Sequence, residues 1–208
     1  MSRVAGRRPA RARAILVACV VVAACGAAVT PAPSITSEPT ATVAATPTPS
    51  AAPTEPAAGS VVVDAALLEV LPAQVDGLPL VENPEGEAGA MAAPGLADFA
   101  SGIVAGLAID SASGEFVYAV VVRVRVGAMS APRYQAWRDS FDTAACAPAG
   151  GVSGHATTQI AGRSVYVATC AGGVVTYHVW LQARRILVSV SALGERRLGE
   201  RLLDGLRP

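Results

Sequence analysis

Residues 26–60 hold almost nothing that can be buried in a regular pattern. The stretch is built from Ala, Thr, Pro and Ser, as in Ser34-Ile35-Thr36-Ser37-Glu38-Pro39-Thr40 and Thr46-Pro47-Thr48-Pro49. Its prolines remove backbone donors and favour extended polyproline II segments, and a segment without an apolar face gains too little to offset the entropy of ordering. It is expected to be a disordered tether, able at ~3.1 Å per residue to reach ~100 Å. Folding must therefore come from residues 61–208, the length of one ordinary domain and enough to bury a core.

Before the tether, residues 1–14 carry Arg3, Arg7, Arg8, Arg11 and Arg13 and no acid, and residues 15–24 form an uncharged apolar run. A basic segment followed by about ten apolar residues reads as an export signal, because a helix spanning the bilayer needs ~20. The Arg7-Arg8 pair lacks the flanking residues of a twin-arginine signal. At the end of the run, Val22-Ala23-Ala24-Cys25-Gly26 resembles the lipobox of bacterial lipoproteins. That resemblance implies a signal peptide over residues 1–24, cleavage before Cys25, and a diacylglycerol thioether on the Cys25 thiol. Residues 25–60 then become a lipidated tether. The implied location is extracytoplasmic, lipid-anchored to the bacterial cell membrane, with the membrane as a partner through the lipid on Cys25. Each buried methylene contributes ~0.8 kcal/mol, so two or three acyl chains suffice to anchor the chain without a transmembrane helix.

Loss of residues 1–24 changes the charge balance. All sixteen acids lie beyond the signal, facing eleven arginines, so the processed chain carries a formal charge of −5. Residues 61–115 hold nine acids and no arginine, whereas residues 116–208 hold five acids and eleven arginines. Two halves of opposite sign are expected to pack together and neutralise one another. The acidic balance, with no basic cluster interleaved with aromatic residues, argues against nucleic acid as a partner.

Within residues 61–208 the periodicity suggests an α+β domain. Leu67, Leu68 and Leu71 form a short helical stripe ending before Pro72, and residues 77–81 read as a short extended segment. Leu96, Phe99, Ala100, Ile103, Val104 and Leu107 recur at three- and four-residue spacing, which predicts an amphipathic helix over residues 94–109. Val120, Val122, Val124 and Val126 alternate with Val121, Arg123 and Arg125, as in a strand with one buried and one wet face. Pro132 opens a helix with Tyr134, Trp137 and Phe141 on one side and Arg138 able to pair with Asp142 at i,i+4. Strands are expected over residues 155–160, 164–170, 174–181 and 186–192, followed by a helix over residues 195–206. The fold expected is a single domain after a disordered tether: an antiparallel sheet of about four to six strands packed against helices on one face. This order of elements is similar to small lipoproteins of the PsbP-like class, in which a curved antiparallel sheet is backed by helices. The similarity is one of layout and carries no functional residue across.

Few residues offer chemistry. With Cys19 in the signal and Cys25 lipidated, Cys146 and Cys170 remain, and an oxidising compartment favours a disulfide between them. They lack Cys-x-x-Cys spacing, and only His155 and His178 could complete a metal set with them, so neither a redox pair nor a metal site is expected, and no cofactor. A general base would have to be one of those histidines. His178, in Thr176-Tyr177-His178-Val179-Trp180, reads as a structural strand residue. A hydrolase using it would need an acid such as Asp139 or Asp142 and a hydroxyl such as Thr176 around a concave pocket. Gly-x-Ser-x-Gly and P-loop patterns are absent from the sequence, and Gly151-Val152-Ser153-Gly154-His155 reads as the entry to a strand. Glu82, Glu85 and Glu87 read as a solvated loop without EF-hand spacing. The expectation is a non-catalytic binding or envelope-accessory domain, with Tyr177, His178 and Trp180 as a possible binding surface. Possible partners are an envelope protein, a glycan or a small apolar ligand, and the alternatives are a carrier of a small hydrophobic ligand or a hydrolase using His178.

Overall fold

The computed structural model describes residues 59–207. The signal segment, Cys25 and the tether up to residue 58 lie outside the described residues. The domain is built on an eight-stranded, mostly antiparallel sheet. Its strands are β1 (Val62–Val63), β4 (Val81–Glu82), β5 (Ala100–Ile109), β6 (Phe116–Val124), β7 (Val152–Ile160), β8 (Arg163–Cys170), β9 (Val175–Leu181) and β10 (Ile186–Leu193). Their order is β1-β5-β6-β10-β9-β8-β7, with β4 also pairing β5; only the β1–β5 pair is parallel. A separate hairpin joins β2 (Gln74–Val75) and β3 (Leu78–Pro79). The helices are α1 (Pro84–Met91), α2 (Leu96–Phe99), α3 (Ala131–Cys146) and α4 (Leu198–Asp204), with a 3-10 helix over Ala65–Val70.

Local chemistry sets several of these boundaries. The Asp64, Asn83 and Ser130 side chains accept the backbone N–H groups of Ala66, Gly86 and Arg133, capping the 3-10 helix, α1 and α3. Pro84 and Pro132 occupy first helical turns, where the missing N–H costs nothing. The β7–β8 hairpin turns through Ala161 and Gly162, both at positive φ (48° and 74°), the backbone of a type I′ turn.

The expected helix over residues 94–109 is overturned. Leu96 to Phe99 make one helical turn, and the rest is β5, a central strand hemmed in by β1, β4 and β6. Ile103 and Val104 point to opposite faces, and both are fully buried. A strand buried on both faces shows no period of two, so its apolar residues mimicked helical spacing. At Gly106 a Cβ would meet Leu68 Cδ2 at 3.1 Å and Leu80 Cγ at 3.3 Å, an approach that favours glycine in the strand. The wet face expected for residues 120–126 is corrected for the same reason. Val117, Ala119 and Val121 pack on one side of the sheet and Val120, Val122 and Val124 on the other.

Both faces of the sheet are covered, which corrects the expected one-sided arrangement. On one side Leu67, Leu71, Leu198, Leu202 and Leu203, from the 3-10 helix and α4, close on Val104, Val121, Val188 and Val190. On the other, α2 and α3 bring Leu96, Phe99 and Trp137 against Ile103, Val120, Val122 and Leu187. The sheet exceeds four to six strands because β5 was expected as helix and two-residue strands leave little pattern. The acidic first half and the basic second half do pack together. Arg196 meets Asp76 at 2.7 Å and Asp110 at 3.1 Å, Arg201 meets Asp76 at 3.1 Å, and Arg123 meets Asp64 at 2.5 Å. Among the described residues no helix is long and apolar enough to cross a membrane.

Candidate functional site

The α3 face of the sheet carries the polar groups of interest. Antiparallel register places Val120, Ser189, His178 and Tyr166 in one row across β6, β10, β9 and β8, and Tyr118, Ser191 and Thr176 in the next. Above these rows lies α3, whose Trp137, Phe141 and Asp142 face the sheet. The expected Arg138–Asp142 pair is not among the ion pairs of the described residues. Asp142 turns inward, and Arg138 stacks on Tyr166 with its guanidinium carbon 3.8 Å from the ring centroid.

Asp142, His178 and Ser189 form a linear series of hydrogen bonds, and among the described residues the other Asp142 oxygen, Oδ2, is buried without a partner. His178 Nε2 lies 2.9 Å from Asp142 Oδ1, and His178 Nδ1 lies 3.0 Å from Ser189 Oγ. Trp137 Nε1–H donates to Ser189 Oγ at 2.8 Å, and Thr176 Oγ1–H donates to Asp142 Oδ1 at 2.5 Å. Burial lowers the His178 pKa below its usual value, against the raising pull of Asp142. Burial raises the Asp142 carboxyl, but hydrogen bonds from His178 and Thr176 outweigh it and hold that group below the usual range. A neutral His178 satisfies the series: Nε2–H donates to the carboxylate, and Nδ1 accepts the Ser189 hydroxyl proton.

This connectivity is that of a hydrolytic triad, yet its atoms are sealed. His178 is 0% exposed and Ser189 1%, and the serine oxygen is covered by the Trp137 indole. A nucleophile must meet its substrate, so the series as it stands holds α3 to β9 and β10. Of the expected partners, Asp142 meets the His178 imidazole, whereas Thr176 bonds Asp142 and Asp139 does not join the series. Among the described residues neither His178 nor Ser189 lines a pocket; the nearest hollow is lined by Asp142 and Tyr166. Ser189 and Trp137 were not among the expected partners, although Ser189 and Ser191 alternating in an otherwise apolar strand were a signal that one face of β10 holds polar groups.

Tyr177, His178 and Trp180 do not share an exposed surface. Strand alternation sends Tyr177 beneath α4, where it is 6% exposed, and sends His178 and Trp180 to the α3 side. Glu85 and Glu87 lie in α1 rather than in a loop, and Glu87 is buried with its Oε1 accepting the Ala105 N–H at 3.2 Å. Asp139, Asp142, His155 and Tyr166 line a hollow of about 420 Å³ bounded by α3, β7 and β8. No group of three or more metal-ligating side chains among the described residues could hold an ion.

The disulfide between Cys146 and Cys170 is present. It ties the last residue of α3 to the end of β8, with the Cα atoms 5.1 Å apart.

Beside the sealed series lies an open cleft of about 300 Å³ between α1 and α3, floored by β6 and β10. Gly86, Gly89 and Ala90 of α1 form one wall and Trp137, Phe141 and Ala144 of α3 the other. Small residues in α1 let this wall form: Gly86 sits against the Tyr118 ring, and the Tyr118 hydroxyl donates to the Gly86 carbonyl at 3.1 Å. Burial pushes the Tyr118 hydroxyl up to about 12, with a further rise from the Glu87 carboxylate. Chemically the cleft offers apolar contact and a few hydroxyls.

Comparison with family models, with curated proteins and with solved structures finds no match in any of the three.

Proposed function

We propose that this chain is an extracytoplasmic lipoprotein, anchored to the bacterial cell membrane through Cys25, whose domain holds a small apolar ligand and performs no reaction. The observation that carries the ligand reading is the α1–α3 cleft. Its walls are glycine, alanine and aromatic side chains, and its size is that of a small-molecule site. A tether of about 35 residues lets such a domain sample the space beside the membrane from which apolar molecules come.

The second reading, a hydrolase, draws on the Ser189–His178–Asp142 series. Its geometry supports it less, because the serine is buried and engaged by Trp137.

Two measurements test the proposal. Intact mass of the protein from its native membrane should correspond to a chain starting at Cys25 plus acyl chains, and Cys25→Ala should abolish that mass; a free N-terminus elsewhere would sink the anchor. For the cleft, a neutral fluorescent naphthylamine should bind the wild type, and Ala144→Trp should remove that binding. Equal binding by both would place the ligand elsewhere.

A further inference from the structure

We propose that the cleft selects an uncharged molecule, with an apolar body and one neutral hydrogen-bonding group such as a hydroxyl, and that the Ser191 hydroxyl orients it. This rests on the apolar-ligand reading and names its chemical class.

Three observations converge. The first is the absence of a counter-ion: among the described residues no arginine, lysine or histidine lines the cleft. A carboxylate or phosphate head would lose its hydration there without a paired charge, a cost no surrounding apolar contact repays.

The second is Ser191. It lines the cleft, is only 7% exposed, and its Oγ has no hydrogen bond among the described residues. Ser189, two residues earlier on the same face of β10, is engaged by both Trp137 and His178. The two serines differ in what α3 offers them: Trp137 reaches the first, and the cleft opens over the second. An unengaged hydroxyl in an apolar cleft gives a ligand its orientation, because only a ligand bringing a polar group there satisfies both partners.

The third is Glu87. Its side chain is 4% exposed, and it has no cationic partner among the ion pairs of the described residues. It acts on Tyr118, which lines the cleft, so its field reaches the site. An anionic head at Tyr118 would feel a charge of its own sign, although Glu87 itself does not line the cleft. A cationic head would meet the same field favourably, but the lining itself offers it no carboxylate to bind, and a buried ammonium needs a direct partner.

The test uses the full processed chain with Cys25→Ser, so that no lipid competes, and calorimetric titration at pH 8 with 1-octanol, octanoate, octylamine and octane. Octanol should bind most tightly, with octanoate and octylamine at least tenfold weaker. Ser191→Ala should weaken octanol about fivefold while leaving octane unchanged, since one neutral hydrogen bond is lost and apolar contact is kept. Octanoate or octylamine binding as tightly as octanol would overturn the neutral preference while leaving the apolar-ligand reading standing. An unchanged octanol-to-octane ratio in Ser191→Ala would overturn the role of Ser191. If none of the four binds, the apolar-ligand reading itself fails, and this inference with it.

Discussion

His178 Nε2 and Asp142 Oδ1 lie 2.9 Å apart, joining β9 to α3 in a place neither side chain shares with solvent. A buried carboxylate held by a neutral imidazole is costly to disturb one partner at a time. His178→Leu should leave Asp142 with Thr176 alone and destabilise the domain by about 3 kcal/mol. Adding Asp142→Asn should recover part of that loss, because the remaining acceptor is no longer charged. Urea denaturation of both single variants and the double variant checks this; a double variant as unstable as the sum of both singles would show that the two residues do not act together.

The same pair sets an acid limit. The His178 pKa is lowered in the folded state, so below the unfolded value of about 6.5 the unfolded chain binds a proton the folded one does not. Stability is full above that value and falls as pH drops through it toward the folded pKa. The Asp142 pKa is also lowered, which adds a further loss as pH drops below 3.8. His178→Leu should remove the upper part of this slope. Melting temperatures from pH 8 to pH 4 would show it; an unchanged slope in the variant would assign acid sensitivity to other groups.

Reduction should weaken the domain. The Cys146–Cys170 bridge closes a loop with a sequence separation of 24, worth roughly 3.5 kcal/mol in the chain-entropy account. Replacing both cysteines by alanine should lower the melting temperature by on the order of 10 °C. Both cysteines are buried, so reductant should act on the wild type slowly unless denaturant is present.

Two glycines separate packing from binding. A Cβ at Gly86 would stand 2.5 Å from Tyr118 Cε2, and one at Gly199 would collide with the Tyr177 ring on the opposite face of the sheet. Each alanine substitution should cost about 2 kcal/mol by overpacking. Only Gly86→Ala, which pushes α1 away from the sheet, should also change octanol affinity. Equal effects of both on affinity would place the ligand outside the α1–α3 cleft.

The β7–β8 turn can be improved. Ala161 holds φ 48°, a conformation that disfavours a Cβ and is better suited to asparagine. Ala161→Asn should raise stability by roughly 0.5 to 1 kcal/mol, read as a higher melting temperature with ligand affinity unchanged.

Several elements were legible because local rules decide them. Helix α3 follows from Ser130, Pro132 and the Trp137 stripe, and β8, β9 and β10 from β-branched runs broken by Gly172-Gly173 and Arg184-Arg185. The disulfide followed from setting aside Cys19 and Cys25 as parts of an export signal, which left Cys146 and Cys170 to pair. What escaped was whatever depends on a neighbour. Strand β5 looked helical because burial on both faces erases alternation. Glu87 looked solvated because nothing in its own segment shows that β5 will offer it the Ala105 N–H. Ser189 and Trp137, 52 residues apart, meet only when α3 lies across β10. Capping and apolar spacing act within a few residues, which is why the start of α3 and the strands β8, β9 and β10 could be read before any tertiary contact was known. Tertiary structure decided which polar groups are sealed and which face a cleft, because burial and hydrogen-bond satisfaction belong to pairs of surfaces and not to either segment alone.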